Sequence, residues 1–400
     1  MGQVQAVDAS RPYRVESTVR VALTPKLDGV IEPEEWDQLG TDGVQSFFQW
    51  EPDMLHWAAS AAKTEDIIVS LDTQGDGWLN GKDNLEIRYK GGPENRIVVR
   101  TLDCTDGNGP QWRDGGVLPE SIKMAASTTA DRWSLESSFT PRMGFSPKTG
   151  SKIAIRIDAV PAGTDVSQPY QPRSLALLML QMDSSRNLPA GMSWRPNMLF
   201  RSIAREDRLK IEFNLQREEG DFVPNRIEMR GEGFARQALA EISQPIGVLD
   251  SKGRTSAEFL SVISPTAEPG WRVVRGTVKD KAGQEFQVRS SVRLSYLLDY
   301  EFNFQNGARS IPDAQIVKGN VTLRSQANGR IEGVFGYDIP AEWTITKGKT
   351  TKILIHNSRG VFKVPIEFII PKGTQGTFPL HFKVTIGSQS IEKTLYFPVE

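Results

Sequence analysis

At 400 residues, with 38% hydrophobic and 24% charged side chains, the chain has enough apolar material for about two to four separately cored domains and lacks the bias that marks disorder. Lysine plus arginine number 48 against 49 for aspartate plus glutamate, so no net field gathers nucleic acid or an acidic membrane surface, and a neutral ligand fits better. A single cysteine, Cys104, excludes an intramolecular disulfide and a cysteine-based zinc site, and no apolar run reaches the roughly eighteen residues of a membrane-spanning helix.

Residues 1–17 are polar and patternless, the expectation for a flexible lead-in, and carry no basic-plus-apolar signal pattern. Val19, Val21 and Leu23 then alternate as a strand. Asp28-Gly29 supplies a turn, and Glu32-Pro33-Glu34-Glu35 reads as the acidic first turn of a short helix that points Trp36 inward. Short strand-like runs follow at 67–71, 85–89, 96–102, 122–126, 133–139 and 153–160, separated by Gly, Pro, Asp and Asn clusters, as in an antiparallel β-sandwich. Leu175-Ala-Leu-Leu-Met-Leu180 reads as one more buried strand.

The stretch from Leu71 to Lys90 is the candidate site, because a polar, glycine-rich loop carrying Trp78 joins two of these strands. Leu85, Ile87 and Tyr89 alternate with Glu86, Arg88 and Lys90, and a hairpin at 91–95 returns Arg96, Val98 and Arg100 on the neighbouring strand. Glu86, Arg88, Arg96 and Arg100 are therefore expected to gather beside Trp78. An aromatic plate beside convergent charged donors and acceptors suits a neutral, hydroxyl-rich ligand such as a sugar.

The order Lys26-Leu27-Asp28-Gly29 with Glu35-Trp36, then Asp66-Ile-Ile-Val-Ser-Leu-Asp72, Asp83-Asn-Leu-Glu86, Trp133-Ser-Leu-Glu136 and Gly150-Ser-Lys-Ile-Ala-Ile-Arg-Ile-Asp158 resembles the family 9 carbohydrate-binding modules and the wider DOMON-like sandwiches over residues 18–205. The resemblance implies a pair of aromatic side chains clamping a terminal sugar, carboxylate, amide and arginine groups on its hydroxyls, and calcium bracing the loops. On this sequence it places Trp78 as the first clamp residue with Glu86 behind it. Trp194 becomes the second clamp residue, Asn197 its hydrogen-bonding neighbour, and Arg96 or Arg100 the arginine, with Arg100 preferred. Asp72, Asp76 and Asp83 are the loop carboxylates that would surround calcium. The segment 161–192 departs from the family pattern.

After Arg205 the tryptophans thin out to Trp271 and Trp343 and the strands are broken by Gly, Asn and Pro, which marks a boundary. Residues 206–298 and 299–400 each have the strand spacing of an immunoglobulin-like sandwich. Val364-Pro-Ile-Glu-Phe-Ile-Ile-Pro371 leading to His381-Phe-Lys-Val is similar to the immunoglobulin-like accessory modules beside sugar-active domains of bacterial secreted proteins.

Catalytic patterns are sparse. His56, His356 and His381 are scattered, and neither a Gly-x-Ser-x-Gly elbow nor a Walker loop is present. The expectation is an all-β, noncatalytic carbohydrate-binding protein of an exported bacterial system, secreted, periplasmic or on the cell surface. Its partners would be an oligo- or polysaccharide and a glycan-active enzyme or cell-surface component, with neither nucleic acid nor membrane insertion. Two alternatives stay open: a structural cell-surface spacer, and a haem-b-binding DOMON-like module in which Met54 or His56 pairs with Met179, Met182 or Met192.

Overall fold

The computed structural model describes residues 18–40, 44–76, 83–91, 97–103, 111–114, 121–141, 145–164, 174–198, 201–204, 208–232, 241–263, 267–304, 315–327, 329–356, 360–387 and 389–399. The lead-in at 1–17, Cys104, the loop tip with Trp78, and Arg96 lie outside them. As expected, the fold is all-β with predominantly antiparallel sheets. Among the described residues no helix is long and apolar enough to cross a membrane. The chain divides into two compact units, 1–197 with 211–259 and 270–292, and 198–210 with 260–269 and 293–400.

The first unit opens with strands β1 (Thr18–Val21), β2 (Asp37–Gly40), β3 (Gln45–Glu51), β4 (Met54–Ala62), β5 (Glu65–Asp72), β6 (Asn84–Tyr89), β7 (Ile97–Asp103), β8 (Gln111–Asp114), β9 (Ile122–Thr128), β10 (Arg132–Phe139), β11 (Lys152–Pro161) and β12 (Ala176–Gln181). They form a seven-stranded sheet, β1-β12-β11-β5-β6-β7-β8, and a five-stranded sheet, β2-β3-β4-β10-β9, in which, among the described residues, only β1 and β12 pair in parallel. Period-two patterning drives the two sheets together. Ile67, Val69 and Leu71 of β5, Ile87 of β6, and Ile153 and Ile155 of β11 meet Phe48, Trp50, Leu55, Trp57, Leu135 and Phe139 of the other sheet in one apolar core. A polar relay crosses that core: Trp57 Nε1 donates to Tyr89 Oη (3.0 Å), which lies 2.7 Å from Ser137 Oγ. Burial pushes the Tyr89 phenol far above its ordinary value, so it stays protonated and the relay intact.

The outer face of the five-stranded sheet is covered by residues 27–36. Trp36 packs with Phe47 and Ala58, and Leu27 and Ile31 close over them. The anchor is Glu136 on β10, whose Oε2 accepts the backbone N–H groups of Asp28 (2.8 Å) and Gly29 (2.6 Å) while Oε1 accepts Trp36 Nε1 (3.2 Å). Gly29 has φ +85°, and a Cβ there would sit 2.9 Å from the Ala126 carbonyl carbon, so only glycine fits this turn. Where a short helix was expected at 32–35, one hydrogen-bonded turn forms, Glu35 N to Glu32 O at 3.0 Å. The chain re-enters a strand at Asp37 before a second helical turn can close.

The remaining strands of this region are β13 (Asp183–Arg186), β14 (Met192–Asn197), β15 (Ser202–Ala204), β16 (Arg208–Arg217), β17 (Arg226–Gly231), β18 (Ile242–Pro245), β19 (Arg254–Val262), β20 (Gly270–Lys279) and β21 (Glu285–Ser295). One sheet runs β13-β21-β20-β17-β18 with β15 also beside β21, and another runs β14-β16-β19. Strand pairing thus crosses position 205, where the sequence texture suggested a boundary. Asp183–Arg186 already pairs with β21 and Met192–Asn197 with β16. The change in tryptophan density lags the change of sheet by about one hairpin, because density reports core aromatics rather than hydrogen-bonding partners. Within the first unit, Thr24 N donates to Trp271 O (3.0 Å) and Trp271 N to Thr24 Oγ1 (2.8 Å), tying the first sandwich to β20.

The second unit ends in β22 (Leu298–Phe304), β23 (Gln315–Ser325), β24 (Ile331–Asp338), β25 (Thr344–Lys347), β26 (Thr350–Ile355), β27 (Val361–Ile370), β28 (Gly376–Ile386) and β29 (Gln389–Val399). The sheets β22-β23-β27-β25 and β26-β24-β28-β29 share a core of Val321, Leu323, Val364, Phe368, Phe335, Leu380 and Phe382. Trp343 stacks on Phe368, with ring centroids 5.6 Å apart.

Two stability effects follow. Glu136→Ala strands three N–H donors in a buried site and is expected to destabilise the chain by about 3 kcal/mol or more, measured by urea unfolding. Burial, with the charge of Glu32 adding to it, pushes the Glu35 carboxyl up to about 7 from an ordinary 4.5. The folded state therefore holds this proton more tightly than the unfolded one. The resulting stability is complete below about pH 4.5 and disappears as pH rises through about 7. Glu35→Gln should be neutral at pH 4.5 and stabilising by on the order of 1 kcal/mol at pH 8. A pH-independent difference from the parent chain would contradict this.

Candidate functional site

The outer face of the seven-stranded sheet gathers the charged residues. Opposite partners in register share a face, so Ser70, Glu86, Arg100 and Arg156 form one row across β5, β6, β7 and β11, and Ile68, Arg88, Val98 and Asp158 form the next. Glu86 stands directly opposite Arg100. This face is not solvated: Ser70, Glu86, Arg88 and Asp158 are all buried, as is every residue of β6.

Charge pairing makes that burial tolerable. Arg88 Nε donates to Asp66 Oδ2 (3.0 Å) with Nη2 at 2.9 Å from the same oxygen, and Asp66 Oδ1 also accepts the Gly91 N–H (3.2 Å). Arg156 Nε donates to both carboxylate oxygens of Asp158 at 2.8 Å and its Nη1 to Ser174 Oγ at 3.0 Å. Arg88, expected to meet a sugar, thus has its guanidinium held by Asp66. The pair lines a cavity of about 440 Å³ with Lys90, Gly91 and Gly163.

At the other end of β5 the three predicted metal ligands come together. Asp72 closes β5, fully buried; its Oδ1 accepts the N–H groups of Gln74 (3.0 Å) and Gly75 (2.6 Å), an aspartate turn that starts the loop. Thr73 N and Oγ1 both donate to the Asp83 carbonyl at 3.1 Å and bring the loop's two ends together. One carboxylate oxygen from each of Asp72, Asp76 and Asp83 then lies within 4.8 Å of the other two. Oxygens bound to one calcium ion at about 2.4 Å cannot be more than about 4.8 Å apart, so the set fits a calcium centre supplying three of its six to eight ligands. Burial, with the charges of Asp72 and Asp76 adding to it, pushes the Asp83 carboxyl up to about 6, and its Oδ2 is buried without a hydrogen-bond partner. A divalent cation relieves both the repulsion and the orphaned oxygen.

Trp78 belongs to the same loop in sequence but lies outside the described residues. Trp194 and Asn197, expected across the sugar from it, are on β14 in a different sheet from Glu86 and Arg100. Trp194 stacks on Phe213 (6.0 Å between centroids) and Asn197 Nδ2 donates to Glu212 Oε2 (2.9 Å). The physical reason is pairing. Met192–Asn197 hydrogen-bonds to β16 along its length, which commits it to the β14-β16-β19 sheet. His56 is buried on β4 with Nε2 3.2 Å from Glu51 Oε1. Sequence reasoning passed over Arg20, Asp37, Glu232, Arg275 and Arg289, which converge from distant parts of the chain and share no motif.

No protein-family model matches the sequence, and no curated protein matches it. Among solved structures, red sea bream transglutaminase is similar over 53% of this chain and 32% of that one, at 11% identity and a TM-score of 0.30. Native Escherichia coli alpha-2-macroglobulin is similar over 91% and 31%, at 8% identity and 0.26. The D0-D1 domain of intimin is similar over 51% and 98%, at 10% identity and 0.19. The chain spans about a third of the length of the first two. Likeness this slight carries no functional argument.

The Arg88–Asp66 pair gives a direct expectation. Arg88→Met leaves a buried, uncompensated carboxylate and should cost about 3 to 5 kcal/mol in chemical denaturation, whereas Arg88→Met with Asp66→Asn should recover most of the loss. Equal losses in the single and double variants would show that the pair is not coupled.

Proposed function

We propose that the chain is a noncatalytic carbohydrate-binding protein of an exported bacterial system, with calcium held by Asp72, Asp76 and Asp83 bracing the loop that presents Trp78 to a sugar. The observation that carries this reading is the convergence of those three carboxylates, on one loop, within 4.8 Å. Between Asp76 and Asp83 the chain has only Gly77-Trp78-Leu79-Asn80-Gly81-Lys82, so a cation on the flanking aspartates restrains the short segment that carries the aromatic plate. Glu86 and Arg100, opposite each other on neighbouring strands of the same sheet, would be the acceptor and the donors of this reading. The resemblance to family 9 carbohydrate-binding modules supports the ligand class. With one stacking face in place of a clamp, affinity falls in the millimolar to high micromolar range.

The second unit favours a spacing role beside this binding module. Among its described residues the buried polar side chains are serines and a threonine, Ser261, Ser295, Thr322 and Ser325, and no charged side chain is buried. Its described core is an apolar sandwich.

Two measurements test the reading. At pH 7.5, above the Asp83 value of about 6, calcium should raise the thermal midpoint by several degrees over chelator-treated protein. At pH 5, below the Asp83 value of about 6, the rise should shrink. A glycan array run with calcium and with chelator should then give sugar signals that depend on calcium and vanish in Trp78→Ala, while that variant keeps the parental midpoint. Signals indifferent to both changes would refute the assignment.

A further inference from the structure

A separate cleft of about 810 Å³ lies inside the first unit, walled by β1, β2 and β3 of the first sandwich and by β13, β20 and β21. Its volume is in the range of small-molecule sites, roughly 300 to 1,000 Å³. One wall is a chain of charges in alternating sign. Arg289 stands at its centre, with Nη1 and Nη2 each 3.1 Å from an oxygen of Asp37, and Nε donating to Glu232 Oε2 at 2.9 Å. Outward from Asp37 comes Arg20, 3.8 Å away, whose Nη2 also donates to Gln38 O at 2.6 Å. Outward from Glu232 comes Arg275, 3.5 Å away.

The chain therefore holds three guanidiniums against two carboxylates, a surplus of one positive charge, and Arg186 and Glu34 at the exposed rim cancel each other. A surplus charge in a half-buried setting lacks water's compensation and favours an anion. Asp37 and Glu232 outweigh the effect of burial on Arg289 and hold it charged, so the surplus persists at neutral pH. Two orphaned groups belong to side chains of the lining, an acceptor that a hydroxyl would answer and a donor that a carboxylate would answer. Gln49 is 1% exposed and lines the cleft with Oε1 lacking a hydrogen-bond partner, and Arg20 Nε, in a side chain that also lines it, lacks one too. The rest of the lining combines the hydroxyls and amide of Thr18, Ser184, Ser185 and Gln287 with the apolar Val19, Leu23, Pro33 and Trp36.

We propose that this cleft is a binding site for a small polyhydroxylated carboxylate, an acidic sugar of the uronic acid class. The carboxylate answers the surplus guanidinium charge, with Arg275 at the end of the chain as its partner, and the ring hydroxyls answer the serine and amide lining. A neutral sugar would leave the charge unanswered. A nucleotide would need a stacking face, and the one tryptophan of the wall, Trp36, is packed against Phe47 and Ala58. The site uses none of Asp72, Asp76, Asp83 or Trp78 and stands independently of the calcium-braced loop.

The test is calorimetric titration of glucuronate and galacturonate into the full chain, with excess chelator so that the loop aspartates do not contribute. One binding event per chain with a Kd on the order of 0.1 to 1 mM is expected, at least roughly tenfold tighter than for glucose. Arg275→Gln should weaken it by roughly tenfold or more. Ser185→Trp, which fills the cleft from an exposed position and leaves every ion pair in place, should abolish binding without shifting the thermal midpoint, and it decides the matter if Arg275→Gln fails to fold. No heat at about 20 mM uronate, glucose binding as tightly as glucuronate, or unchanged binding in Ser185→Trp would overturn the proposal. Inorganic sulfate displacing glucuronate at equal concentration would mean an adventitious ion only, and would overturn it too.

Discussion

One buried carboxylate sets the conditions for the first sandwich. Glu136 stands on the outer face of a β-strand, where a charge would normally meet water, and instead receives two backbone N–H groups and an indole N–H from residues about one hundred positions earlier in the chain. Those three bonds fold residues 27–36 down as a lid on the five-stranded sheet, which buries Trp36, Phe47 and Ala58. Burial drives the Glu136 carboxyl up and the hydrogen bonds pull it back, so the ionised form is kept by its donors rather than by solvent. Without the carboxylate the lid has three unsatisfied donors and no register.

The same constraint recurs on the opposite side of the sandwich. The outer face of the seven-stranded sheet carries Asp66, Arg88, Arg156 and Asp158 where water is scarce, and each finds its opposite charge at hydrogen-bonding distance. Pairs of this kind contribute little net stability against an apolar replacement but specify geometry, because only one register satisfies them all. The acidic loop departs from this pattern. One carboxylate oxygen from each of Asp72, Asp76 and Asp83 lies within 4.8 Å of the other two, and burial together with that like charge pushes the Asp83 carboxyl up to about 6.

Much of this was legible before any coordinates. Alternation at 67–71 and 85–89 located β5 and β6, the hairpin at 91–95 put Glu86 and Arg100 into one expected cluster, and the three loop aspartates were singled out by their place in the loop and by resemblance. The strands β3 and β4 escaped notice because Phe47 and Ala58 are buried under the lid while Phe48 and Trp57 are buried in the core, which leaves no polar face to create a period-two signal. The sheet that Trp194 joins was not legible for a different reason: a tryptophan after a glycine turn looks the same in sequence whether its strand joins one sheet or the next, and only the β14–β16 ladder distinguishes them. The Arg20–Asp37–Arg289–Glu232 chain was invisible, since its members lie up to about 270 residues apart and each alone is an ordinary charged residue.

Calorimetric titration of calcium into chelator-stripped protein at pH 7.5 tests whether Asp72, Asp76 and Asp83 hold a cation. A single saturable site per chain is expected, and it should disappear in Asp72→Asn with Asp83→Asn while both proteins unfold cooperatively. A titration with no saturable heat, or the same isotherm for parent and variant, would contradict it.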